Sequence, residues 1–66
     1  MHLTINGEAR EINDGLTLAD YLIYLNLKPQ MIVAERNGEI VPRGEYAQTW
    51  LAENDTLELV QMMAGG

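Results

Sequence analysis

The dipeptide Asn-Gly occurs twice, at Asn6-Gly7 and Asn37-Gly38, and a single helical pattern lies between the two copies. Asn-Gly is the strongest short signal for a two-residue hairpin, because both residues accept the positive φ of a primed turn. Two hairpins on either side of one helix leave few arrangements open. Around the first turn the residues alternate. In "HLTIN" Leu3 and Ile5 face one way and His2 and Thr4 the other, the pattern of a half-buried strand. "EAREI" returns, with Ile12 a firmer inward position than Ala9, and "NDG" breaks it. Around the second turn, "MIVAER" is an apolar run of strand length and "EIV" returns. Pro42 stops that strand, since it has no N–H to give to a ladder.

The helical pattern is "TLADYLIYLNL". Thr17 is suited to the N-cap, and Asp20 makes a capping pair with it while favouring the positive end of the helix dipole. Leu18, Leu22 and Leu25 fall at i, i+4 and i+7 and predict the core stripe, with Tyr21 beside it. Ile23 and Tyr24 lie off that stripe, either packed at the helix margin or exposed as contacts for a partner. Lys28-Pro29 is expected to close the helix. Beyond the second hairpin, "RGEYAQTWLAE" reads as a loop carrying a helical turn or two, with Tyr46, Trp50 and Leu51 as its apolar set. Asn54-Asp55 makes a turn. "TLELVQM" is the last strand, Leu57 and Leu59 inward and Glu58 outward.

The first and last strands can lie side by side only if the chain between them crosses over, and the helix supplies that crossover. The expected fold is therefore a two-layer α+β domain: a mixed four- or five-stranded sheet with one helix packed across one face. Residues 1–62 form this domain, and 63–66 are expected to be a flexible tail.

At 66 residues the chain is one small domain with little room for a buried pocket. A binding module or a carrier fits better than a self-contained enzyme. There is no cysteine, which removes disulfides and thiolate metal sites. The net charge of −6 makes nucleic acid a poor partner and steers a basic protein toward the chain, though solubility alone also accounts for it. No apolar run approaches the ~20 residues of a membrane span, and the start lacks a signal-peptide layout. No membrane association and a cytoplasmic location are expected.

Conventional catalytic sets are missing. His2 stands alone, without cysteine or a clustered acid near it in sequence. Glu35, Glu39 and Glu45 read as a solvated face. Arg43, in "PRG", offers either a phosphate contact or a brace for its loop. No metal site is expected, and no catalytic residue.

What remains is the end of the chain, "VQMMAGG". Glycine has no Cβ, so Gly65-Gly66 can enter a slot too narrow for other residues. From Met63 to Gly66 the backbone reaches at most roughly 13–14 Å. That carries Ala64, Gly65 and the Gly66 carboxylate off the globular body and into a partner's active site. A carboxylate is a poor electrophile, but joining it to AMP through ATP supplies a leaving group, and sulfur can then replace it. The product is a thiocarboxylate, with sulfur held on the backbone end rather than on a cysteine. Met62 and Met63 point to opposite faces if the strand continues, so one of them is available to a partner and the other fills a gap.

These residues also carry a resemblance. "DTLELVQMMAGG" resembles the last strand and tail of the ubiquitin-like β-grasp proteins. "NGEIVPRGEYAQTWLAENDTLELVQMMAGG", together with "INGEAREINDGLTLADYLIYL" upstream, resembles the ThiS-type sulfur carriers of thiamin (thiazole) biosynthesis over essentially the whole chain. The resemblance implies the β-grasp fold. It implies that an E1-like adenylyltransferase of the ThiF type activates Gly66 with ATP and magnesium. A sulfurtransferase or cysteine desulfurase system would supply sulfur, and a thiazole synthase of the ThiG type would receive it. The chain itself would be a cosubstrate with no bound cofactor. Two other outcomes share the activated Gly66: a carrier like the small subunit of molybdopterin synthase, and a ubiquitin-like protein modifier. A non-covalent interaction domain with an incidental tail is the remaining reading. Met62, Ile23, Tyr24 and Arg43 are the candidate partner surface.

Overall fold

Both Asn-Gly turns form. Asn6 and Asn37 take φ of 51° and 53°, followed by Gly7 at 81° and Gly38 at 86°, the left-handed pairs that a primed hairpin needs. They join β1 (His2–Ile5) to β2 (Glu8–Glu11) and β3 (Ile32–Arg36) to β4 (Glu39–Ile40). Among the described residues, one α-helix, α1 (Leu18–Tyr24), lies between the hairpins, and β5 (Thr56–Gln61) follows a 3₁₀ segment at Arg43–Gln48. The computed structural model describes residues 1–62.

The sheet order is β2-β1-β5-β3-β4. β5 is therefore the central strand, parallel to β1 and antiparallel to β3. The right-handed crossover rule makes α1 cover one face of the sheet. Its buried Leu18, Tyr21 and Leu22 pack with Leu3, Ile5, Ile32, Ala34 and Leu57 in one core. This is the β-grasp arrangement, with five strands.

The helix begins as its sequence predicts. The Thr17 hydroxyl accepts the Asp20 N–H, and the Asp20 carboxylate accepts the Thr17 N–H, both at 3.1 Å, a complete capping box. It ends earlier than expected. Leu25 is no part of the core stripe: it is the C-cap and 38% exposed. The cause is Asn26, which takes φ of 63° and turns the chain out of the helix. The Asn26 N–H donates to the Ile23 carbonyl and the Leu27 N–H to the Leu22 carbonyl, a Schellman motif. Leu27 packs against the core in place of Leu25. Lys28-Pro29 instead opens a separate 3₁₀ turn, Pro29–Met31.

In the irregular segment, Tyr46 and Leu51 are buried, but Trp50 is 61% exposed, against the expectation for that apolar set. The backbone explains it. The Leu18 N–H donates to the Thr49 carbonyl and the Leu51 N–H to the Leu16 carbonyl, forming a bridge between Thr17 and Trp50. With Leu51 directed inward, its extended neighbour points out. The Tyr46 hydroxyl donates to the Ile32 carbonyl at 2.6 Å, fixing the segment to the start of β3.

Asp55 is the one buried carboxylate among the described residues. It accepts from Arg36 Nε at 2.9 Å, Asn37 Nδ2 at 3.0 Å and the Ala52 N–H at 2.8 Å. Burial by itself raises its pKa, but the bonds from Asn37, Ala52 and Arg36 outweigh it and hold the carboxyl below the ordinary aspartate range.

Candidate functional site: the exit of the central strand

The central strand decides where the tail residues begin. Alternation along β5 directs Leu57, Leu59 and Gln61 to the helix side, and Glu58 and Val60 to the open side of the sheet. Leu57 is fully buried and Leu59 half-buried, so the inward assignment of both holds. Past Gln61, the Met62 N–H still donates to the Met31 carbonyl at 2.7 Å, and Met62 is 37% exposed. Met63, Ala64, Gly65 and Gly66, where sequence reasoning puts the chemistry, lie outside the described residues.

Two surfaces meet at this exit. On the open side, Val60 stands opposite Val33, and Ile40 stands opposite Glu35. Val60 and Ile40 are both about three-fifths exposed, at 60% and 61%. Glu35 faces Glu58 across the ladder, and among the described residues neither takes part in an ion pair. The open side is thus an apolar surface carrying unopposed negative charge.

On the helix side, an open groove of about 830 Å³ runs between the end of α1 and the first hairpin. It is lined by Tyr21, Tyr24 and Leu27 from α1 and the segment after it, by Ile5 and Arg10 from the first hairpin, and by Gln61 from the end of β5. The Tyr21 and Tyr24 rings stack with centroids 6.1 Å apart. Burial pushes the Tyr21 hydroxyl pKa up, while nearby Arg10 pulls it down and Tyr24 adds to the rise.

The four residues expected to contact a partner do not form one patch. Ile23 and Tyr24 are exposed on the helix layer at 66% and 78%. Alternation continues Met62 onto the open side. Arg43 is exposed, with Nη2 at the outer limit of hydrogen bonding, 3.5 Å from the Ile32 carbonyl. Val33, Ile40, Val60 and the Glu35–Glu58 pair were missed. The alternation of "IVAER" against "LELVQ" held that information once their pairing was known.

His2 does acquire acidic neighbours, but from far along the chain. Its ring lies 3.0 Å from Glu53 and 3.5 Å from Glu11, all at the surface. The His2 N–H and ring bonds hold the Glu53 carboxyl below its ordinary range. Among the described residues no group of three His, Cys, Asp or Glu side chains gathers to hold a metal. Nor is any helix there long and apolar enough to cross a membrane.

Comparison with known proteins agrees with this geometry. A thiazole synthase of Paramagnetospirillum magneticum is 39% identical over 66 residues, which is all of this chain and 20% of that protein. The chain thus spans about a fifth of the length of that relative. The sulfur carrier protein ThiS of Bacillus subtilis is 31% identical over 65 residues, covering 97% of this chain and 98% of that one. The crystal structure of the thiamine biosynthesis protein ThiS from Geobacter metallireducens superposes with a TM-score of 0.83 at 28% identity, over the whole of both chains. The sequence pattern of the ThiS family matches residues 3–66, and the chain belongs to that family.

Proposed function

We propose that this chain carries sulfur for thiamine biosynthesis on the carboxyl group of Gly66, as a protein cosubstrate rather than a catalyst. The observation that carries the reading is the family match, which runs through Gly65-Gly66 to residue 66, on a domain whose central strand leads into that tail. In the activating step a Gly66 carboxylate oxygen attacks the α-phosphorus of ATP, with magnesium, on an E1-like adenylyltransferase, and pyrophosphate leaves. The outer sulfur of a persulfide on a sulfurtransferase or cysteine desulfurase system then displaces AMP, giving an acyl disulfide, and a second thiol on the donor attacks the donor's own sulfur, forming a disulfide there and releasing the Gly66 thiocarboxylate. This chemistry takes place in the cytoplasm.

A thiazole synthase is the acceptor. Its support is the Paramagnetospirillum magneticum protein of that name, which includes a stretch similar to this whole chain. The apolar open face at the root of the tail suits docking of these partners, and Glu35 and Glu58 favour a basic one.

Intact mass after incubation with ATP, an E1-like enzyme and a persulfide source tests the reading. The expected product is the whole chain with one oxygen replaced by sulfur. Attachment to lysines of other proteins would point to a modifier instead, and an unchanged mass would end the proposal.

A further inference from the structure

β1 ends at Ile5 and the chain turns away at once through Asn6-Gly7, yet its ladder with β5 continues. The Thr4 N–H donates to the Asp55 carbonyl and the Asn6 N–H to the Leu57 carbonyl, as successive rungs of a parallel pair. The next rung would fall at Leu59, where β1 has no backbone left to offer. The Asn6 side chain fills it. Its Oδ1 accepts the Leu59 N–H at 2.8 Å and its Nδ2 donates to the Leu59 carbonyl at 3.2 Å. A primary amide presents the same donor and acceptor as a peptide group, so it can stand in for one.

The second hairpin makes half of this contact at the other end. Asn37 Oδ1 accepts the Thr56 N–H at 2.9 Å, where β5 begins. The first residue of each hairpin turn therefore grips the central strand, one near its start and one near its exit.

We infer that Asn6 is a positioning residue for loading of the tail. By pairing Leu59 it keeps the last residues of β5 from fraying on the β1 side, while β3 holds the other side as far as Met62, and so it helps to set where the chain leaves the sheet. The aiming half of this inference rests on the carrier reading above; the clamp itself does not. Asparagine serves two needs at this position. It accepts φ of 51° in the turn, and it supplies both hydrogen-bonding groups.

Asn6→Gly and Asn6→Asp both preserve the turn, since Gly-Gly and Asp-Gly are also favoured there. Glycine removes both contacts. Aspartate keeps the acceptor but, when ionised, opposes the Leu59 carbonyl instead of donating to it. At neutral pH, hydrogen exchange of the Leu59 amide should accelerate by about three- to tenfold in Asn6→Gly, the range for one hydrogen bond, and by less in Asn6→Asp, which keeps the acceptor for that amide. In Asn6→Asp, protection should return as pH falls below about 4, where the protonated carboxyl can donate again. Asn6→Gly should show no such return. With an E1-like enzyme, ATP and a persulfide source, both variants should load sulfur more slowly at neutral pH, through kcat with KM unchanged. Asn37→Gly, which loosens the opposite end of β5, should load at the original rate.

Unchanged Leu59 exchange in Asn6→Gly overturns the clamp. Faster exchange with unchanged loading overturns the aiming role, as does equal slowing in Asn37→Gly. Absence of loading in the original protein, with the exchange difference intact, removes the carrier reading and the aiming role together while the clamp stands.

Discussion

Glu35 and Glu58 stand directly opposite each other in the β3–β5 ladder, two carboxylates on the open side of the sheet beside Val33 and Val60. Like charges so placed are destabilising by a few tenths to about 1 kcal/mol. Glu58→Gln is therefore expected to stabilise the free protein by that amount, with the gain shrinking in added salt. Chemical denaturation at two ionic strengths measures it. The same substitution should slow association with a basic partner enzyme, visible as a lower on-rate.

The core assignment of β5 predicts a contrast along one strand. Leu57 is completely buried, so Leu57→Ala should cost about 2–5 kcal/mol. Leu59→Ala should cost less, because that side chain borders the groove and is only half-buried. Val60→Ala, on the open side, should cost least. A denaturation series with Val60→Ala as the costliest of the three would reverse the assigned faces.

Thr17 holds the helix start through the reciprocal bonds with Asp20. Thr17→Ala should lower stability by about 0.5–2 kcal/mol. Because α1 supplies the crossover between the two hairpins, the loss should appear in the global melt rather than as local fraying.

Asp55 predicts the acid side of the stability curve. Its folded-state pKa is depressed, so the folded state binds its proton less readily than the unfolded chain does. The associated stability is present above the ordinary aspartate value of about 3.9 and is lost as pH falls through the lower folded value. Asp55→Asn should destabilise the protein at neutral pH and flatten this acid limb. Thermal melts between pH 7 and pH 2 provide the comparison.

Removal of Gly66 should leave the melting temperature unchanged and abolish sulfur loading. Among the described residues, the bonds that hold β5 in the sheet end at Met62. A truncated protein that still loads would contradict the proposed role of the terminal carboxyl.

The fold was legible because its signals are local. Asn-Gly turns, the Thr17–Asp20 cap and the Leu3/Ile5 alternation depend on neighbours within a few residues. The helix end was misread because two signals competed. Pro29 is a strong breaker, but Asn26 followed by apolar Leu27 satisfies a Schellman motif earlier, and the chain took the first stop. Trp50 was misread because its direction follows from a long-range bridge to Thr17. The site was legible only in part. Gly65-Gly66 announces itself in sequence, whereas the Glu35–Glu58 pair exists only after two strands more than twenty residues apart find their register.

The strand order also bears on how the protein comes into being on the ribosome. The middle of the sheet is its last strand in the chain, and every strand beside it is translated earlier. Until Thr56–Gln61 clears the exit tunnel, the nascent chain holds two separate hairpins with no rung between them. Folding must therefore wait for the end of this domain's translation, and a nascent chain stalled before that point offers its unfinished sheet to chaperones and proteases.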